Sequence, residues 1–306
     1  MPSRLLYLVL ALAVLHPAVP SAGALVLGLF YGVTVGNPFL ANTKKLSPKV
    51  LSYSIIGLGA SMNLTQVLQS GAQSFLVTLL AIVATMTLGD WLGRLLKCES
   101  QTSLLVSVGT AICGGSAIAA VSSAIRAKEE AISISLACVF LLNALALFIF
   151  PPIGHWQGLS QEQFGVWSAI AIHDTSSVVG SALQYGDQAL SLATTTKLVR
   201  ALWIVPLTIW IARRQGAPSQ TKFPSFILGF LGAAALVTAV PSLLPLGKVL
   251  AAIAKRTMVL ALFFIGSALS KKTLSQVGPR PFLQALCLWL AVSLVSLALV
   301  RNGWLV

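Results

Sequence analysis

The sequence predicts an all-α polytopic membrane protein built as an inverted-repeat transporter, with about nine spans plus two opposed re-entrant or broken helical hairpins. Three observations predict it. The chain of 306 residues is 57% hydrophobic and only 9% charged, more apolar side chain than a soluble core can use. Its lysines and arginines fall mostly in short loops between apolar runs. Finally, two segments otherwise fit for lipid are interrupted by short polar, small-residue breaks, Ala111-Ile112-Cys113-Gly114-Gly115-Ser116-Ala117-Ile118 and Ala171-Ile172-His173-Asp174-Thr175-Ser176. Irregular backbone at membrane depth survives only where it is buried in protein or lines a wet cavity. Two such breaks, from two related halves, point to a transporter binding site.

In chain order, residues 5–15 form a short apolar run before His16-Pro17 and read as a first span, although the small residues from Ser21 to Ala24 also resemble a signal-peptide cleavage site. Further spans follow at about 22–38, 47–63 and 73–96, the last ending in an i,i+4 pair, Asp90 and Arg94. Residues 103–126 hold the first break. As a hairpin, each leg has about 11 residues and reaches ~16 Å, roughly the middle of a ~30 Å hydrocarbon core. A span at 131–150, a loop at 151–163 and the second break region at 164–186 come next, and then spans near 190–212, 223–241, 248–270 and 281–300.

Two internal comparisons support a repeat. Ser123-Ala124-Ile125 with Ala131-Ile132-Ser133 matches Ser181-Ala182-Leu183 with Ala189-Leu190-Ser191 at one constant offset, and Gly59, Gln69-Ser70-Gly71 and Phe75 match Gly266, Gln276-Val277-Gly278 and Phe282. They divide the single transporter domain, 1–306, into a first repeat at about 22–150 and a permuted second repeat at about 164–303. Parity then favours re-entrance. If both break segments crossed fully, the two comparisons would demand opposite symmetries; if both are hairpins, every repeated span is inverted relative to its partner, as inverted-repeat transporters require. Charge agrees. With the N-terminus in the cytoplasm, Lys44, Lys45, Lys49, Arg94, Lys97, Arg126, Lys128, Arg213, Arg214, Lys222, Lys271, Lys272 and Arg280 all lie inside, while the loops at 64–72, 151–163 and 185–189 carry no lysine or arginine.

The breaks have the chemistry of an anion site. Gly114 and Gly115 permit a tight reversal and close approach, and Ser116 is placed to cap the leg that follows, with Cys113 beside it. A helix start presents unpaired N–H groups and a positive dipole end. The second break offers the same helix start at Thr175 and Ser176, together with two titratable groups, His173 and Asp174. Asp174 would cap its own helix, bind a coupling cation or carry a proton; His173 titrates near neutrality or is a satisfied buried histidine. Lys197 and Arg200 lie inside an apolar span at i,i+3, some 10–15 Å deep, and intramembrane cations are usually functional. Neutralisation by Asp174, Asp187 or a glutamate, or snorkelling of Lys197, is the structural alternative. Asn63 and Asn143 are lesser candidates, equally explained by interhelical hydrogen bonds. Gly57, Gly59 and Gly266 read as sites of close helix packing, and Trp156, Trp167, Trp289 and Trp304 as interface anchors.

At these residues the chain resembles the YeiH-type family of bacterial membrane proteins, a family described as sulfate exporters. The resemblance rests on Ile112-Cys113-Gly114-Gly115-Ser116-Ala117-Ile118-Ala119-Ala120, on Ala171-Ile172-His173-Asp174-Thr175 with Val178-Val179-Gly180, and on Lys197-Leu198-Val199-Arg200 followed by Pro206. Phe223-Pro224-Ser225-Phe226 with Gly229-Phe230, and Phe264-Ile265-Gly266, support it. One departure is Ser177, where a glutamine often stands in the family. The family is similar to the wider cation/proton-antiporter and anion-transporter superfamily, which implies alternating access of a mobile core against a scaffold.

The resulting expectation is a secondary active transporter of a small anion, of the sulfate, sulfite or organosulfonate class. Its site is drawn from Cys113, Gly114, Gly115, Ser116, His173, Asp174, Thr175, Ser176, Lys197 and Arg200, and its coupling ion is H⁺ or Na⁺, the latter near Asp174. The rival readings are a Na⁺/H⁺ antiporter without an anion substrate and a membrane subunit of an ion-pumping enzyme. No HExxH, Gly-x-Ser-x-Gly or paired carboxylates in one span mark the chain as an enzyme. Its four cysteines have no metal spacing, so no cofactor or resident metal is expected. The expected partners are the anion and the lipid bilayer, with a homodimer as an allowed assembly and no nucleic acid. The expected location is the bacterial inner membrane, multi-pass, with a cytoplasmic N-terminus.

Overall fold

In the computed structural model, which describes residues 2–214, 225–268 and 278–305, the chain is helical with no strand among the described residues. Lys222, Phe223, Pro224, Lys271, Lys272, Gln276 and Val277, used above, lie outside them. The helices are α1 (Pro2–Ala13), α2 (Ser21–Thr34), α3 (Leu40–Gly59), α4 (Leu64–Leu95), α5 (Ser100–Ala111), α6 (Gly115–Ala124), α7 (Glu129–Trp156), α8 (Gln161–Ala171), α9 (Thr175–Tyr185), α10 (Asp187–Leu202), α11 (Ile204–Arg214), α12 (Ser225–Ala239), α13 (Leu244–Ala268) and α14 (Pro279–Arg301).

Among the described residues, five stretches are long and apolar enough to cross a membrane: Ser74–Leu95, Glu129–Trp156, Asp187–Arg214, Pro241–Ala268 and Pro279–Arg301. The protein is therefore a helical, multi-pass membrane protein. The other expected spans are shorter or more polar. α1, α2 and α12 have 12, 14 and 15 residues, or roughly 18–23 Å at 1.5 Å per residue. α3 has 20 residues but carries Lys44, Lys45, Lys49 and an internal Pro48. Pro206 explains the step between α10 and α11 at Trp203, because it has no N–H to offer and its ring crowds the carbonyl four residues back.

The helices fall into two packed groups. In one, α13 lies against α2 and α3, and α12 against α3. Glycines set these close crossings: a side chain at Gly59 would strike the Phe230 carbonyl, one at Gly266 the Leu25 carbonyl, and one at Gly57 the Ala254 methyl. The other group comprises α4–α11 and α14. It is organised along α7, a helix of 28 residues or ~42 Å.

Two helical hairpins approach α7 from its opposite ends. α5 and α6 form the first. Gln101, at the start of α5, accepts the Lys128 N–H at 3.0 Å, and the Ser135 hydroxyl donates to the Thr102 carbonyl at 3.2 Å. Both ends of this hairpin are thus pinned at the start of α7. Deeper in, Ile118 of α6 packs on Gly109 of α5, so the chain has turned back on itself. α8 and α9 form the second hairpin, at the far end of α7. Gln161, at the start of α8, accepts the Gln188 N–H at 3.0 Å, and the Tyr185 hydroxyl donates to the Leu159 carbonyl at 2.7 Å. Gln161 fills the space beside Gly186, whose φ of +150° no other residue adopts readily. α14 braces both hairpins: Gln284 donates to Ser103 Oγ at 2.8 Å near one end, and Gln163 of α8 donates to the Val300 carbonyl near the other.

Trp156 and Trp304 are exposed, at 82% and 77%, as interface anchors would be. Trp167 and Trp289 are not. Both are buried; Trp167 stacks on Phe150 at 4.3 Å and donates to the Ser293 carbonyl at 3.0 Å. Trp167 sits on a hairpin leg enclosed by α7, α10 and α14, so it has no interface to reach.

Candidate functional site

The two hairpin tips meet beside the midpoint of α7. Gly114 of the first tip lies against Asp174 of the second, where a Gly114 side chain would come within 3.4 Å of the Asp174 backbone. Val139 touches Gly114 and Phe140 touches Gly115. Asn143, one turn further along α7, accepts the backbone N–H groups of His173 at 3.0 Å and Asp174 at 3.3 Å. Asn143 is 14 residues from one end of α7 and 13 from the other.

The tips are built differently. The first turns through Gly114, with φ +61° and ψ −121°, a conformation open only to glycine, and α6 starts there without a side-chain cap. Ser116, expected to cap this leg, instead lies one residue inside α6 and is exposed. A capping hydroxyl must precede the helix, and that place belongs to Gly114. Cys113 is buried beside this turn. The second tip turns through extended backbone, and Asp174 caps α9, accepting the N–H of Ser176 at 3.0 Å and of Ser177 at 3.2 Å as well as the Ser176 hydroxyl. Thr175 and Ser176 are buried in the first turn.

Lys197 and Arg200 are fully buried behind the tips. They start 10 and 13 residues into α10, deeper than the loop position in the sequence implied. Among the described residues neither makes an ion pair; Asp187 pairs instead with Lys255 at 2.5 Å. Both heads bind backbone carbonyls. Arg200 donates to Ala111 at 2.7 Å and Thr110 at 3.0 Å, the last carbonyls of α5, and to Ile170 at 2.5 Å and Ala169 at 3.4 Å, the last of α8. Lys197 donates to Ile172 at 2.7 Å and Ala169 at 3.3 Å. One guanidinium thus closes the negative ends of both first legs. This ties the tips together and leaves the open start of α6 beside the Asp174-capped start of α9.

Several buried polar atoms here have no protein partner: both ring nitrogens of His173, Nδ2 of Asn143 and the hydroxyl of Thr110. Such groups are rare in folded interiors and mark water, ion or ligand positions. A polar cavity of about 520 Å³ opens at the end of the molecule where the second hairpin starts, lined among others by Asn63, Gln66, Ser70, Glu162, Asp187 and Lys255. It shares Ser70, Glu162 and Leu192 with a deeper space of about 240 Å³ that reaches Thr196 and Ile170, the residue whose carbonyl holds Arg200.

Of the residues expected in the site, Cys113, Gly114, Gly115, His173, Asp174, Thr175, Ser176, Lys197 and Arg200 gather at the crossing. Asn143, a lesser candidate by sequence, stands at its centre. Asn63 does not join it; it caps α4 at the mouth of the larger cavity, accepting the Thr65 N–H at 2.8 Å. Thr110 and the carbonyls that hold Arg200 were missed, since a helix-end carbonyl has no residue signature. Among the described residues no group of three His, Cys, Asp or Glu is arranged for a metal.

Relatives of this chain include bacterial membrane proteins. The family model described as conserved hypothetical protein 698 matches residues 4–285. A UPF0324 membrane protein of Bdellovibrio bacteriovorus is 50% identical over 99% of this chain and 95% of its own. A second, from Geobacter sulfurreducens, is 44% identical over 94% of this chain and 93% of its own, and a third, from Porphyromonas gingivalis, 48% over 90% and 86%. No solved structure matches the chain. By family model and by near full-length identity, the chain belongs to the UPF0324 family of membrane proteins.

Proposed function

We propose that this protein is a secondary active transporter of a small anion, of the sulfate, sulfite or organosulfonate class, working by alternating access and coupled to H⁺ or Na⁺. The observation that carries this reading is the meeting of two opposed helix starts, at Gly114 and Asp174, while Arg200 and Lys197 cover the two neighbouring negative ends. With each helix end equivalent to about half a charge, the two cations outweigh the covered ends and Asp174, and the crossing carries roughly one net positive charge. Lys197 and Arg200 then attract an anion through their field rather than by direct contact. The specific substrate class rests on the resemblance to the YeiH-type family.

The hairpins read as re-entrant and related by an inverted repeat, about 22–150 and a permuted 164–303, with about nine spans. In support, Gln101 and Gln161 each open a hairpin, and each accepts an N–H 27 residues later. The basic loops support a cytoplasmic N-terminus in a bacterial inner membrane. The sparse polar links between the two helix groups, Ser21 to the Gly180 carbonyl, Leu64 to Thr238 and Lys255 to Asp187, suit a core that moves against a scaffold.

One observation favours the rival Na⁺/H⁺ antiporter: Asp174, the carboxylate at the crossing, is only partly buried. Thermal stabilisation of the purified protein across an anion panel, with and without Na⁺, at pH 6 and 8, separates the two, because a ligand that binds only the native state raises its melting point. Selective stabilisation by sulfate, sulfite or a sulfonate is expected; stabilisation by Na⁺ alone favours the antiporter.

A further inference from the structure

We propose that His173 is the residue that takes up the proton coupled to anion binding, and that Asp174 is not; this assignment rests on the anion-transporter reading. The backbone on either side of the ring is fixed. The Ile172 carbonyl accepts Lys197 Nζ at 2.7 Å, and the His173 N–H donates to Asn143 Oδ1 at 3.0 Å. The ring itself is fully buried, and neither nitrogen has a partner. A satisfied structural histidine would have at least one nitrogen bonded. Asn143, whose Oδ1 holds the His173 N–H, likewise leaves its Nδ2 without a partner. Asp174 is the opposite case, since its carboxylate already accepts two N–H groups and a hydroxyl in capping α9.

The charged and titratable groups around the imidazole are Lys197 and Arg200 from α10, Cys113 from the first tip and Asp174 from its own tip. The two cations oppose a third positive charge in the empty site. A bound dianion reverses that balance, since the crossing then carries about one net negative charge by the same half-charge accounting. One proton on the imidazole restores neutrality and adds a second N–H donor toward the anion. The proton comes from bulk water on the side to which the site is open, forms an N–H bond on the unprotonated ring nitrogen, and leaves with the anion on the other side. Anion and proton therefore travel in the same direction.

The test is calorimetric titration of the purified protein with sulfate and with methanesulfonate, neither of which titrates near neutral pH, in two buffers of different ionisation enthalpy. Linkage predicts uptake of about one proton per sulfate in the unaltered protein and less with the monoanion. His173→Gln is expected to bind sulfate more weakly with no proton uptake, whereas Asp174→Asn, whose sulfate-loaded crossing is already neutral by the same accounting, is expected to bind sulfate more tightly with a smaller proton count. Sulfate binding without proton uptake in the unaltered protein overturns the assignment, even if the His173 variants do not fold. Uptake that persists in His173→Gln also overturns it. Absence of binding by every anion in the panel overturns the transporter reading, and the assignment with it.

Discussion

The two hairpin tips reach the same place by different chemistry. The first uses glycine in a conformation closed to other residues and leaves the start of α6 uncapped. The second uses ordinary extended backbone, holds it on Asn143, and fills the start of α9 with Asp174. The outer ends differ in the same spirit. α5 starts on a charged cap, Glu99, whereas α8 starts on an uncharged capping box of Ser160 and Gln163. What the tips share is Arg200, which holds the last carbonyls of both first legs. The shared part is structural, and the differing parts set the charge. The free helix start is that of α6, and the carboxylate opposite tunes how strongly the crossing attracts an anion.

Removing the shared element gives the largest effect. Arg200→Ala leaves the buried carbonyls of Thr110, Ala111 and Ile170 without their side-chain donor and Lys197 alone against both helix ends, and a loss on the order of 3–5 kcal/mol is expected. The check is the yield and melting temperature of monodisperse protein, with Arg200→Lys falling between the two because it keeps the charge but not the fork. Gly114→Ala breaks the first tip alone. A φ of +61° and a methyl within 3.3–3.4 Å of Val139 and Asp174 predict a cost of roughly 1–3 kcal/mol, visible as a lower melting point and lost anion stabilisation.

Asp174→Ala should cost ~1 kcal/mol as a lost helix cap, and Asp174→Asn much less, because asparagine caps equally well. A melting-temperature difference between the two measures the cap separately from the charge. The smallest effect concerns the outer caps. Burial pushes the Glu99 carboxyl up, but the Thr102 N–H at 2.7 Å and hydroxyl at 2.8 Å outweigh it, with Lys128 nearby, and hold it below the usual carboxylate range. A lowered carboxylate contributes stability above its unfolded pKa, and that contribution is lost as the pH falls through the folded value. The hydrogen-exchange protection factor at the start of α5 should therefore fall in acid while that at the start of α8 does not, and Glu99→Gln should remove the contrast.

Much of this was legible in the sequence because the breaks are local. Cys113-Gly114-Gly115 and His173-Asp174 interrupt apolar runs, and the loop charges imply that both ends of each break lie on one side. The depth of Lys197 and Arg200 was legible from their place in a span, but their partners were not, because the carbonyls of Thr110, Ala111, Ala169 and Ile170 belong to backbone that any sequence supplies. Asn143 was undervalued since one asparagine in a span fits any interhelical bond. Its equal distance from the loops at either end of α7 was the available signal. Trp167 was misread because a tryptophan near a loop looks the same whether its helix faces lipid or protein, and Trp289 because its place near the middle of α14 was not weighed. Ser116 was misread because the sequence does not say which residue of Cys-Gly-Gly-Ser begins the helix, and a shift of one position moves the hydroxyl from cap to exposed face.

The most direct test of the central claim is the affinity of sulfate for Asp174→Asn against the unaltered protein, measured by calorimetry at low ionic strength. If the opposed helix starts form an anion site, removing the carboxylate while keeping the cap should tighten binding by about tenfold, since a like charge has left the neighbourhood. Unchanged or weaker sulfate binding, with Na⁺ stabilisation present in the unaltered protein and lost in the variant, would contradict it and make Asp174 a cation ligand.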